Sequence, residues 1–162
     1  MAQLSSPVTQ LLDQLGIEYD WVEIPLDPDK KPVRSLEELV QAKGQKPEQI
    51  VRSLVFRTGN GNFVLLAVPG NGRADWAVLR KTLGERRLTM ADQDEVLEAT
   101  GYPIGAVPPI ALPETVRQLI DESVFEHDKV IIGSGVLGYA LEIRSEDLRR
   151  ATQGAAIGKF VK

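Results

Sequence analysis

Apolar residues at helical spacing open the chain. Val8, Leu11, Leu12 and Leu15 recur every three or four positions after Ser6-Pro7, and Gly16 follows. Serine as N-cap, proline at the first helical position and glycine at the end delimit a short helix. Ile17 to Ile24 gathers Ile, Tyr, Trp and Val and predicts a strand. Pro25 to Pro32 is a Pro/Asp/Lys stretch expected as an exposed, mobile loop. Ser35 and Glu38 have capping-box spacing ahead of Leu36, Leu39 and Val40, and Gly44 ends that helix. Pro47-Glu48-Gln49 begins a further turn.

The middle of the chain changes period. Ile50 to Arg57 reads as a strand, and Asn60-Gly61 is a hairpin signal. Phe63 to Val68 is continuously apolar, which suits a strand covered on both faces. Pro69-Gly70-Asn71-Gly72 breaks it. Asp75 then caps a helix whose Trp76, Val78, Leu79 and Leu83 face inward, ending at Gly84. Arg86 to Met90 predicts a short strand, and Asp92 with Glu95 a second capping box for a helix running to about Thr100. Val116 to Ile120 fits either helix or strand. Lys129 to Ile132 and Leu137 to Ile143 predict strands around a Gly133-Ser134-Gly135 turn. Ser145 caps a last helix to Ala151, and a tail with a brief strand lies within Ala155 to Val161. The strand-helix alternation is irregular, and no Gly-x-Gly-x-x-Gly follows the first strand, which disfavours a doubly wound fold. The expectation is an α+β domain over 1–162, with a mixed, strongly curved, barrel-like sheet flanked by short helices.

Composition removes whole classes of chemistry. The 162 residues include no cysteine and one histidine, His127. Disulfides, thiolate metal sites and a cysteine nucleophile are therefore excluded, as is a multi-histidine metal site, and little room is left for a Ser-His-Asp triad. His127 sits in a polar turn and reads as a surface residue. No metal or cofactor is expected. No basic segment followed by an apolar stretch opens the chain, and no apolar run reaches membrane-spanning length, so a soluble cytoplasmic protein is expected.

Charge adds a partner class. The net charge is −4, yet Lys43 to Met90 holds nine basic residues against three acids, Glu48, Asp75 and Glu85. A phosphate-bearing partner suits such a patch, and a solvated basic face suits it equally. Arg80, Lys81, Arg86 and Arg87 are its candidate contacts to a phosphate backbone.

The most distinctive stretch is Gly101-Tyr-Pro-Ile-Gly-Ala-Val-Pro-Pro109, with two glycines and three prolines in nine residues. Proline restricts φ and removes donors, while glycine lets backbone approach closely, so this is a rigid loop that can meet a ligand. A tight crossover between strands is the competing reading.

The ordered set of motifs now carries a resemblance. It comprises Pro-Glu-Gln-Ile-Val-Arg-Ser-Leu-Val-Phe at 47–56, the apolar strand and Gly-rich break at 63–72, Leu-Arg-Lys-Thr-Leu-Gly at 79–84 and Met-Ala-Asp at 90–92. Thr-Gly-Tyr-Pro-Ile-Gly-Ala-Val-Pro-Pro at 100–109, Ile-Asp-Glu-Ser-Val at 120–124 and Val-Ile-Ile-Gly-Ser-Gly at 130–135 complete it. It resembles the YbaK/ProX family, free-standing relatives of the editing domain of bacterial prolyl-tRNA synthetases, over nearly the whole chain. The family's GxxxP loop falls on Gly105 and Pro109. The resemblance implies hydrolysis of the ester of a mischarged aminoacyl-tRNA. It implies Arg52, Gly105 and Ala106 at the reacting centre, with Gly101, Pro109, Gly133, Ser134 and Gly135 binding substrate. The implied partners are a mischarged tRNA and an aminoacyl-tRNA synthetase; neither membrane nor DNA is expected.

The chemistry suits a sparse site. Binding separates small amino acids by only about 10–200-fold, so translation adds a hydrolytic site. An activated ester needs a placed carbonyl, donors for the oxyanion and a water; the amides of Gly105 and Ala106 are candidate donors, with Pro109 holding the loop's shape. Three positions depart from the family pattern. Arg52 stands where the family carries a lysine, Ala140 stands where some members have an aspartate, and Ser134 lies one position from a serine of others. Arginine keeps the charge but is planar and bulkier and cannot act as a base. A deacylase and a binding module of the same fold, weakened by the lost lysine, are the two readings.

Overall fold

Two apolar segments build the centre. A computed structural model of the chain describes residues 4–152 and 154–162. Strand β2 (Val51–Thr58) and strand β3 (Phe63–Pro69) form an antiparallel hairpin in register from Val51↔Pro69 to Arg57↔Phe63. Its turn closes at Thr58–Asn62, around the Asn60-Gly61 pair. From Val64 to Pro69 every residue of β3 is buried, because the strand lies between two layers.

The other elements follow from this hairpin. Ahead of it run helix α1 (Pro7–Gln14), strand β1 (Asp20–Glu23) and helix α2 (Leu36–Ala42). After it come helix α3 (Trp76–Leu83), strand β4 (Leu88–Met90), helix α4 (Gln93–Thr100), strand β5 (Arg117–Asp121), strand β6 (Lys129–Gly133), strand β7 (Tyr139–Arg144), helix α5 (Ser145–Ala151) and strand β8 (Ala156–Gly158). One sheet has the order β4-β2-β3-β5-β8 and a second has β1-β7-β6. Strands β3, β5 and β8 pair in parallel and the remaining pairs are antiparallel. The largest buried cluster, with Val51, Val55, Leu65, Ala67, Ile132 and Leu141, draws on both sheets. The opposite face of the five-stranded sheet packs Phe56, Leu66 and Leu119 against Leu79 of α3, with Trp76 edge-on to Phe56 at 5.0 Å.

A mixed α+β architecture is therefore present, but as two sheets rather than one curved sheet. Among the described residues the β-bridge between them is the isolated parallel pair Ile50↔Ile131, and no closed barrel forms among the described strands.

Local expectations differ from the structure in instructive places. The β1 segment is shorter than the apolar run, because Ile17 is still tied to Leu12 O at 2.9 Å as the helix exit. Leu15 is exposed, and the buried stripe of α1 is Val8, Thr9 and Leu12. Val116 to Ile120 resolves as strand: Leu119 and Ile120 are buried on opposite sides of a parallel ladder with β3. The Asp92/Glu95 box is complete, with bonds of 3.1 and 2.8 Å. Ser35 makes only its half, accepting from Glu38 N at 3.2 Å. Ser145 does not cap α5; Arg144 occupies that place, because β7 runs straight into the helix and the Ser145 amide is bonded to Asp128 O at 2.8 Å.

Asp121 anchors the C-terminal tail. Its buried carboxylate accepts from Phe160 N at 2.7 Å, Val161 N at 3.1 Å and Ser123 N at 3.0 Å, and from the Ser123 hydroxyl. Asp121→Ala orphans those donors and is expected to cost about 3 kcal/mol in urea unfolding. A loss below about 1 kcal/mol would show that the tail is held by its apolar contacts instead.

Candidate functional site

A cleft opens where the two sheets part. The outer edge of β2 is paired at one end by β4, opposite Phe56 to Thr58, with a last bond from Ala91 N to Val55 O at 3.0 Å. At the other end the bridge to β6 is the isolated pair Ile50↔Ile131, just ahead of β2. Between these ends the edge at Arg52 to Leu54 faces a cavity of about 330 Å³. Val51 to Val55, Ile132 and Gly133 of β6, Ala91, Val96, and Ile104, Gly105 and Val107 of the Gly/Pro loop line it. Such a volume is at the low end for small-molecule sites.

The Gly/Pro loop is pinned from both sides. Tyr102 is buried and its hydroxyl donates to Ala111 O at 2.7 Å, closing the loop's ends. Burial pushes this phenol above its ordinary pKa, which keeps it a donor throughout the neutral range. Thr100 Oγ1 donates to Val96 O at 2.6 Å and accepts from Tyr102 N at 3.1 Å. On the other side Gly135 N donates to Ala106 O at 2.9 Å. Gly133 lies flat against the loop: a Cβ there would sit 2.3 Å from Val107 O and 3.1 Å from Ala106 O.

The structure distributes the sequence candidates unequally. Arg52, Gly105 and Gly133 line the cleft together. Gly105 is exposed at φ 93°, a left-handed conformation that glycine permits, and its amide has no partner among the described residues. Ala106 is buried, and its amide already donates to Pro103 O at 3.1 Å, so of the two candidate oxyanion donors only Gly105 is uncommitted. Arg52 is exposed, with Nη1 at a long 3.4 Å from Gly70 O and no carboxylate within ion-pair reach among the described residues.

The remaining candidates lie outside the lining. Gly101 caps α4 in the left-handed conformation, and Pro109 is buried behind the loop. Gly135 packs under the Tyr102 ring. Ser134 is buried, with its hydroxyl 2.7 Å from Tyr139 O and accepting from Val136 N at 3.0 Å, while its carbonyl accepts from Ser6 Oγ at 2.6 Å. It thus tightens the β6–β7 turn and ties it to α1. Arg80 and Lys81 belong to α3, on the far face of the five-stranded sheet. Arg86 is exposed before β4, and Arg87 shares a surface groove with Arg57, Thr89 and Gly59. Ala140 also lines the cleft.

Sequence reasoning missed Ser53 and Tyr139. Both line the cleft, and the Ser53 hydroxyl is buried with no hydrogen-bond partner. The signal for Ser53 was its place beside Arg52 on a strand, but nothing local shows that this stretch of edge is left uncovered.

The chain is 34% identical over 107 residues to a proline--tRNA ligase of Kosmotoga olearia, covering 66% of this chain and 18% of the ligase. It is 33% identical over 112 residues to that of Thermotoga neapolitana, covering 68% of this chain and 19% of the ligase. The chain thus spans under a fifth of the length of the curated relatives it matches. Among solved structures, a proposed trans-editing enzyme for prolyl tRNA synthetase superposes with TM-score 0.79 at 28% identity, covering 99% of both chains. A hypothetical protein superposes with TM-score 0.82 at 26% identity, covering 97% of this chain and 100% of that one. The family model for the aminoacyl-tRNA editing domain matches residues 30–151, and with that match the chain belongs to the aminoacyl-tRNA editing family, in its YbaK/ProX-like branch.

Proposed function

We propose that this chain is a trans-editing deacylase that cleaves the ester of a small amino acid wrongly attached to tRNA(Pro) or a related tRNA. The observation that carries the reading is the meeting of Arg52, Gly105 and Gly133 in one cavity of about 330 Å³, in a chain of the editing family. The cleft suits a small uncharged side chain: its lining is mostly apolar and includes no carboxylate. A water adds to the ester carbonyl, the Gly105 amide meets the developing oxyanion, and Arg52 supplies positive charge nearby. The bond to the ribose oxygen then breaks, the water's proton passes to that oxygen, and the amino acid and a free tRNA end leave. A metal plays no part in this scheme, and the described residues hold no cluster of three or more candidate ligands.

The 3′ end reaches this cleft as an unpaired strand, so its upstream phosphates need cations elsewhere on the surface. Arg86, exposed before β4, and Arg87, in a surface groove with Arg57 and Thr89, are our candidates for such contacts; Arg80 and Lys81 belong to α3. Partner synthetases and a cytoplasmic location belong to the same proposal. No described helix is long and apolar enough to cross a membrane.

The test is hydrolysis of a panel of mischarged tRNA(Pro) species carrying Ala, Cys, Ser, Thr and small non-protein amino acids, with correctly charged controls. Selective release of one amino acid supports editing and names the substrate. Silence across the panel, from folded protein, favours the second reading, a binding module. The replacement of the family lysine by Arg52 is what motivates that alternative.

Gly105 gives a local test. Space around its missing Cβ is open, with Leu137 Cδ2 the nearest atom at 3.7 Å, so valine there is opposed by the positive φ rather than by a clash. Gly105→Val is expected to cost about 1–3 kcal/mol and leave the protein folded, while hydrolysis is blocked. Normal turnover with a normal melting curve would remove this loop from the site.

A further inference from the structure

The uncovered edge of β2 carries a second feature that the reacting-centre scheme does not use. Ser53 is half-buried, yet its Oγ is shut off from solvent and bonded to nothing. An unmet hydroxyl in a folded protein is uncommon and unfavourable, and calls for a reason. Main-chain geometry adds to it. Val55 O takes the last bond from Ala91 N, and in an antiparallel strand the groups facing one edge recur every second residue. The N–H and C=O of Ser53 therefore face that same edge, and β4 ends before reaching them. The Ser53 hydroxyl is thus an unmet polar group in a mostly apolar cleft, on the stretch of edge that β4 does not reach.

The charge inventory narrows what they hold. An esterified amino acid brings an α-ammonium group into the cavity. The lining has no carboxylate to receive it, and its one charged side chain, Arg52, has the wrong sign. The side-chain oxygens available are those of Ser53 and Tyr139. By the two-residue period Ser53 shares its face with Val51 and Val55, which belong to the core between the sheets, whereas Arg52 shares its face with Leu54 and Phe56.

We infer that Ser53 is the α-ammonium contact of this site: its hydroxyl and its edge-facing carbonyl accept hydrogen bonds from the amino group of the esterified amino acid. The inference rests on the editing function proposed above. A free amino group is then required of the substrate, and N-blocked esters such as an N-acylated or peptidyl ester are poor ones.

The test compares wild type, Ser53→Ala and Ser53→Thr on the ester that wild type hydrolyses fastest, carried on a CCA-ended RNA minihelix, and on the same ester after N-acetylation. Ser53→Ala should lower kcat/KM on the free-amino ester at least tenfold and leave the slow N-acetyl reaction unchanged. Ser53→Thr, which keeps the hydroxyl, should recover most of the loss. The melting temperature of Ser53→Ala should be unchanged or higher, because the variant deletes an unmet polar group. Wild-type rates in Ser53→Ala, an equal loss on both esters, or a lowered melting temperature would each overturn the contact. If wild type hydrolyses no ester, the editing reading fails, and binding decides the matter separately. The probe is then 3′-deoxy-3′-(alanylamino)adenosine against its N-acetyl form: tighter binding of the free amine, lost in Ser53→Ala, sustains the contact, and equal or absent binding of the two refutes it.

Discussion

Gly133→Ala is expected to disable the protein more thoroughly than any other single methyl group added near the cleft. The added Cβ would lie 2.3 Å from Val107 O and 2.6 Å from Val107 C, both main-chain atoms of the Gly/Pro loop. Neither can rotate away as a side chain would. The loop is also held by the Gly135 amide on Ala106 O and by Tyr102 on Ala111 O, so relief requires β6 and the loop to separate. Overpacking of this kind costs about 1–3 kcal/mol, occasionally more. The same separation displaces Gly105, whose amide is the uncommitted donor of the cleft. A lowered melting temperature and a loss of hydrolysis of a hundredfold or more (about 2.7 kcal/mol) are expected together. Gly135→Ala makes a useful contrast: its Cβ would meet side chains, the Tyr102 ring edge at 2.9 Å and Ser6 Cβ at 3.4 Å, at a positive φ and outside the cleft lining. It should cost stability with a smaller loss of hydrolysis. If Gly133→Ala melts and turns over like wild type, the loop and β6 are not packed as described.

Arg52→Ala is expected to lower deacylation tenfold or more, about 1.4 kcal/mol or above. The physical case rests on placement. Arg52 is a cation on the cleft lining without a carboxylate partner among the described residues, so its charge is not neutralised by the protein. Its contact with Gly70 O is long, at 3.4 Å, and leaves other guanidinium donors for a substrate. Arg52→Ala should leave stability within about 0.5 kcal/mol, because an exposed side chain in a long contact contributes little. Arg52→Lys separates charge from shape: retained activity identifies a point charge as the requirement, and a loss as deep as that of alanine identifies the planar fork. Hydrolysis at the wild-type rate in Arg52→Ala would take this residue out of the site and strengthen the case for a binding module.

The elements were legible because their signals are local. Ser6-Pro7, the Asp92/Glu95 box, Asp75 before Trp76, and Asn60-Gly61 act within a few residues of themselves, and each forms where the pattern places it. The continuous apolar run at Phe63–Val68 announced a strand covered on both faces, and β3 is that strand. The motif series at 47–56, 100–109 and 130–135 identified the segments that build the cleft, since each supplies part of its lining.

Within those segments the sequence did not say which atoms remain free. Ala106 looked as suitable a donor as Gly105, and only the turn closed onto Pro103 O shows that its amide is spent. Ser134 looked like a substrate contact, and its hydroxyl is instead taken up within the β6–β7 turn. Ser53 carried no signal beyond its place beside Arg52, because its meaning depends on β4 stopping at Met90 and on β6 bridging this segment only at Ile50↔Ile131. Sequence by itself determined most of the secondary-structure elements, though not whether Val116 to Ile120 is helix or strand, together with the mixed α+β class, the absence of thiol chemistry and the family. Tertiary structure alone decided that the strands divide into two sheets, and that the cleft is the gap this division leaves along one edge of β2. The reason is that caps, turns and apolar runs are properties of neighbouring residues, whereas an unpaired edge exists only once the partners of a strand, distant in sequence, have been placed.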